Sequence, residues 1–176
     1  MLYLDDEEKG LSPDTSHPRF VAVTEEDFWY DCTDDFSPFG NDAGSDTLSS
    51  LEEWLTEHGA EANVADFVRE MLSEQWDMDE NYLTIVNADD IRQLYGSQHQ
   101  NFNDSQDQAV IAAALGQFKT AGETGVEIRE MAMQAFQRQR IIAEIAGADE
   151  SNPLRVWVPQ YLERLEIMRS VLQKWT

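Results

Sequence analysis

Residues 1–90 of this 176-residue chain carry 25 Asp or Glu against three Lys or Arg, a balance of −22, while residues 91–176 carry 10 against nine. That division restricts what the first half can fold into. Unpaired carboxylates are too costly to bury, so each element there must turn a dry face inward and its acids outward.

The apolar spacing meets that demand mainly with helices. Val64, Phe67, Val68, Met71, Leu72 and Trp76 fall on one helical face after a cap at Asn63. Leu48, Leu51, Leu55 and His58 form a second stripe, with Trp54 beside it and Glu52, Glu53 and Glu57 outside. This helix should start near Ser45 or Asp46 and stop at Gly59. Asn87 and Asp90 are placed to cap a short helix ending at Gly96.

In the second half, helices are expected over about 105–121, about 124–146 with Gly147 closing it, and from Pro159 to Trp175. Ile111, Ala114, Leu115 and Phe118 should face inward on the first of these. Three short runs fit strands: Phe20–Val23, otherwise a buried segment; Asp27–Asp31, otherwise the start of a short helix capped by Thr24; and Tyr82–Val86, otherwise a short link. The expectation is a mainly α, compact multi-helix domain with at most two or three short strands in the first half. One domain should cover 1–176, with an acidic half over 1–96 and a near-neutral helical half over 105–176.

Phosphate backbones and anionic membranes repel the acidic half, so direct nucleic-acid or membrane binding is not expected of it. No run approaches the length of a membrane span, and Asp5-Asp6-Glu7-Glu8 gives the N-terminus the wrong charge for a secretory signal. With Cys32 the lone cysteine, these features point to a soluble cytoplasmic protein.

The densest set of oxygen ligands is the Gly/Pro-punctuated loop holding Asp31, Asp34, Asp35, Asn41, Asp42 and Asp46. Such oxygens suit Ca²⁺ or Mg²⁺, but the loop fails the EF-hand spacing. With Gly40 at the sixth position, Ser37 and Phe39 occupy the third and fifth. Asp77-x-Asp79-x-Asn81 fails likewise, having Tyr82 where glycine is required. Turn formation and helix capping explain the same residues without a metal.

His17, His58 and His99 are scattered and form no metal-ligating pair; His17 is the one placed for a proton-transfer role near the acidic segment. Cys32 sits among Asp31, Asp34 and Asp35, whose charge disfavours the thiolate a nucleophile needs. No phosphate loop, nucleophile elbow or dinucleotide fingerprint occurs, and no cofactor is expected. Arg129, Arg138, Arg140, Arg155, Arg164 and Arg169 interleave with glutamates as helix-surface pairs do, or face the acidic half or a second copy of the chain.

The segment His17-Pro18, then Glu26-Asp27-Phe28-Trp29-Tyr30-Asp31, then Pro38-Phe39-Gly40-Asn41-Asp42-Ala43-Gly44-Ser45-Asp46 resembles the uncharacterised bacterial YfeS-like proteins. The resemblance covers about residues 11–60 and implies a bacterial cytoplasmic protein, without an activity to carry over.

The leading expectation is a non-enzymatic regulator, inhibitor or immunity-type protein that shows an acidic face to a basic partner, in its sharper form a DNA mimic. The rival is a divalent-metal-binding protein or metal-dependent enzyme using the 31–46 loop with His17. A homo-oligomer is compatible with both.

Self-repulsion has a measurable consequence. The urea midpoint should rise as salt goes from about 0.01 M to about 0.15 M, where the Debye length shortens from about 30 Å to about 8 Å. A flat or falling midpoint would show the carboxylates to be compensated locally.

Overall fold

The structure is a computed structural model, and it describes residues 1–78, 80–95 and 104–174. Asp79, Gly96, His99 and Trp175 lie outside the described residues, as does most of the amide-rich stretch before residue 104.

The centre is α5 (Ser105–Ala121), in which every side chain from Ala109 to Thr120 is buried. Its sequence explains this: Ala109-Val-Ile-Ala-Ala-Ala-Leu115 is apolar all round, and a helix without a wet face must lie inside. Small residues let neighbours approach closely. A β-carbon on Gly116 would meet Leu51 Cδ2 at 2.9 Å and Leu48 Cδ1 at 3.3 Å.

Against α5 pack α2 (Asp42–His58) on one side and α6 (Val126–Ala148) on the other. Next to α6 lies α7 (Val158–Lys174), reached through a 3₁₀ turn, Pro153–Trp157, that Asn152 caps. The short α1 (Pro18–Val21) and α3 (Val64–Glu70) also touch α5, and α4 (Ala88–Tyr95) lies on α6. The α3 ladder runs on into a π-helical turn, Met71–Gln75, and ends at Asp77, whose φ is +49°. One hydrophobic cluster takes in residues from Phe20 to Leu172.

The helix stripes read from the sequence are the buried faces: Leu48, Leu51 and Leu55 on α2, and Val64, Phe67, Val68, Met71 and Leu72 across α3 and its π turn. α2 starts earlier than Ser45 because Asn41 caps it, its Oδ1 accepting from Gly44 N at 2.8 Å.

The expected strands are a correction, since the described residues contain none. His17 caps Phe20–Val23 into a helical turn with Pro18 in its first position, so the run satisfies its own N–H groups. Phe20 points inward, edge-on to Trp29 and Phe118. Asp27–Tyr30 is a 3₁₀ turn with Trp29 Nε1 donating to Glu26 Oε2 at 3.1 Å. In the third run, Glu80–Thr84 is 3₁₀, and the guanidinium of Arg138 donates to the carbonyls of Leu83 and Ile85 at 3.2 Å each. An arginine takes the place of a neighbouring strand.

Gly116→Val should cost about 1–3 kcal/mol by forcing α2 off α5. Urea unfolding of the variant checks this, and an unchanged midpoint would mean that the two helices can move apart freely.

Candidate functional site

The loop of the sequence-derived site folds on its own backbone. Asp31 Oδ1 accepts from Thr33 N at 2.8 Å and Thr33 Oγ1 at 2.7 Å, bonds that hold its carboxyl below the usual range. Asp34 Oδ1 accepts from Phe36 N at 2.9 Å, and its Oδ2 lies 4.0 Å from Arg164. Asn41 caps α2 and donates to Ser37 O at 2.9 Å. Asp35, Asp42 and Asp46 are exposed.

Glycine is required twice in this loop for close backbone approach: a β-carbon on Gly40 would overlap the Asp31 and Asp34 carbonyls, and one on Gly44 the Pro38 carbonyl. Turn and cap bonds thus hold Asp31, Asp34 and Asn41, while the other three carboxylates face solvent. Among the described residues no group of three or more His, Cys, Asp or Glu is placed to hold a metal ion.

His17 is a helix cap, its Nδ1 accepting from Arg19 N at 3.1 Å and its ring edge-on to Tyr3 at 5.0 Å. Burial, then Arg19, lowers its pKa, in keeping with a ring nitrogen that must stay unprotonated to accept. His58 stacks on Trp54 at 4.5 Å at the end of α2, and Cys32 is exposed.

The strongest polar chemistry lies inside the protein, and it corrects the helix-surface reading of Arg138. Arg138 on α6 is 1% exposed and Asp107 on α5 is 0% exposed. Arg138 Nε and Nη2 reach Asp107 Oδ1 at 2.8 and 2.7 Å. Asp107 Oδ2 accepts from Tyr82 Oη and Gln139 Nε2, both at 2.9 Å, and Tyr161 Oη donates to Gln139 Oε1 at 2.7 Å. Complete burial pushes Asp107 up to about 6 against the pull of Arg138. Burial likewise raises Tyr82, Tyr95 and Tyr161 far above the usual phenol range.

At the other end of α5, Lys119 is 0% exposed and bonds Glu52 Oε1 at 2.6 Å and Asp5 Oδ1 at 2.8 Å. Asp5 N donates to Glu52 Oε2 at 3.0 Å, Tyr3 N to Thr120 O at 2.9 Å and His17 N to Lys119 O at 2.7 Å. These bonds lay the N-terminal segment over the end of α5. Burial raises the Glu52 pKa, with Lys119 opposing.

A signal for both clusters was in the sequence. Asp107 stands just before the apolar run Ala109–Leu115 and Lys119 just after Phe118, and Arg138-Gln139 sit between Ala135-Phe136 and Ile141-Ile142. Of the other arginines, Arg164 does face the acidic half, lying 4.1 Å over the Phe28 ring beside Asp34. Arg140 pairs with Glu144 and Arg169 with Glu166 on helix surfaces.

Open grooves mark the surface, and two of them involve α6. One of about 560 Å³ is lined by Arg69, Leu83, Val86, Glu127, Glu130 and Met131, and one of about 450 Å³ lies between α6 and α7 beside Phe136, Arg140, Leu162 and Arg169. Neither gathers residues arranged for nucleophilic or acid–base chemistry. Among the described residues no helix is long and apolar enough to cross a membrane.

Arg138→Met should cost about 3–5 kcal/mol, because it leaves Asp107 buried without its counter-ion. Arg140→Met, on the exposed face of the same helix, should stay within about 0.5 kcal/mol. Equal effects in chemical denaturation would mean that the Asp107 pair does not hold α5 to α6.

No protein-family model matches the chain, and no solved structure gives a significant match. The chain is similar to a protein of Escherichia coli (strain K12) called "Uncharacterized protein YfeS", with 30% identity over 155 residues, 86% of this chain. That match spans 62% of the relative's length. The likeness extends well beyond residues 11–60, and the chain resembles the YfeS-like proteins over most of its length.

Proposed function

We propose that this chain is a non-enzymatic interaction protein that presents the acidic surface of its first half to a basic protein partner. The observation that carries this is where the charges go. Apart from Asp5, Asp34 and Glu52, the described acids of residues 1–90 are exposed. Lys119 and Arg138 are buried on internal carboxylates and do not face those acids.

On α2 alone, Asp42, Asp46, Glu53 and Glu57 face solvent from a rigid helix. A fixed display of like charge speeds association with a basic surface and repels phosphates and anionic lipid, so the reading excludes nucleic acid and membranes as direct partners. The spaced carboxylates of a helix also suit a protein that competes with DNA for a basic site. A cytoplasmic setting accords with the exposed thiol of Cys32.

The test is affinity capture from a bacterial lysate at about 0.05 M and about 0.5 M salt, on either side of a Debye length of about 10 Å. Wild type is compared with a chain carrying Asp42→Lys, Asp46→Lys, Glu53→Lys and Glu57→Lys. A basic protein held at low salt, released at high salt and not held by the variant supports the reading. Equal capture by both chains, or no salt-sensitive basic protein, refutes it. Calorimetry with Ca²⁺, Mg²⁺, Mn²⁺ and Zn²⁺ addresses the metal reading: binding tighter than about 1 mM, about −4 kcal/mol, would favour it instead.

A further inference from the structure

Four side-chain oxygens stand in a row inside the protein. Asp107 Oδ2 is 2.9 Å from Tyr82 Oη, Tyr82 Oη is 2.8 Å from Tyr95 Oη, and Tyr95 Oη is 2.6 Å from Asp104 Oδ2. Each of these three contacts needs one proton, and each phenol supplies one. With both carboxyls ionised, two protons must serve three contacts. Two oxygens would then meet lone pair to lone pair, those of Tyr82 and Tyr95 if each phenol serves its own carboxylate. One further proton on either Oδ2 completes the row, and all three bonds then run in one direction.

The surroundings define where that proton sits. Arg138 Nε and Nη2 occupy Asp107 Oδ1, and the N–H groups of Gln106 and Asp107 occupy Asp104 Oδ1 as the cap of α5. Only the two Oδ2 atoms are left to carry it. Charged and titratable groups face the row from each element around it: Arg138 from α6, Tyr161 from α7 through Gln139, Tyr82 from the 3₁₀ turn and Tyr95 from α4. Arg138 favours the ionised form at Asp107. Burial and the mutual repulsion of two carboxylates favour the proton.

We propose that the Asp104–Tyr95–Tyr82–Asp107 row is a proton-binding site that holds one proton in the folded protein and makes the stability of the fold dependent on pH. The proton comes from solvent onto a carboxyl oxygen and returns to it, with no other bond changed. When it leaves, each phenol still donates to its own carboxylate, the bond between Tyr82 and Tyr95 is lost, and the row gains a second negative charge.

The sign follows from the direction of the shift. In the unfolded chain an aspartate titrates near about 3.9. In the fold Asp107 is pushed up to about 6, so the native state binds more protons between those values. The contribution to stability is complete below the unfolded value and is lost as pH rises through the folded one.

Asp104→Asn tests the proposal, because its amide can donate to Tyr95 where the proton would, while its Oδ1 still caps α5. Urea unfolding of both chains is followed from about pH 4 to about pH 8. The wild-type folding equilibrium constant should fall relative to the variant by up to tenfold per pH unit between about 4 and about 6, then run parallel to it. Profiles parallel throughout would overturn the proposal.

Carboxyl ¹³C NMR of the wild type decides independently of whether the variant folds. The Asp107 carboxyl should titrate well above about 3.9. An Asp107 carboxyl fully ionised by about pH 5 would overturn the proposal.

Discussion

From Ala109 to Thr120 no side chain of α5 reaches solvent, and the arrangement of everything else follows from covering that helix on all sides. A single layer cannot do it. α2 and α6 flank the helix, α1 and α3 close the gaps, and small residues along α5 let the flanking backbones in. The helix also carries a buried charge near each end, Asp107 and Lys119, separated by about 18 Å at 1.5 Å per residue. Each charge needs a partner brought to it. Arg138 on α6 meets the first, with Tyr82 and Gln139. Asp5 and Glu52 meet the second, and so draw the N-terminal segment across.

That internal pairing shapes the surface. Buried cations cannot offset the outer carboxylates, so the first half keeps its excess of negative charge in contact with solvent. Asp31, which closes a turn, and the amide of Asn41, which caps α2, fix the loop that joins the 3₁₀ turn of Phe28 and Trp29 to α2. The acidic surface is therefore held by a folded frame, which is what a steering role with a basic partner requires.

Helices were legible because their apolar stripes repeat at the helical period over several turns, as in Val64 to Leu72. Runs of four or five residues carry no such period, and Phe20–Val23 and Tyr82–Val86 were open to a strand reading that capping by His17 and donation by Arg138 resolve into turns. The loop acids were found as a group because they are near in sequence, but Asx turns and capping point them at their own backbone. The Asp107 and Lys119 clusters escaped because patterning places charges outside, and a charge inside shows only by standing next to an otherwise dry run. Its partners lie up to 114 residues away, as Lys119 and Asp5 show, and spacing cannot reveal them.

Native-state hydrogen exchange measures the dependence on α5 most directly. If the helix is the element that the others cover, its amides from Val110 to Phe118 should be the slowest in the protein, exchanging only through global unfolding. The free energy of their opening should then match that from urea unfolding. Amides of α5 that exchange sooner than those of α2, α6 and α7 would contradict the account, since the outer helices would then hold together without it.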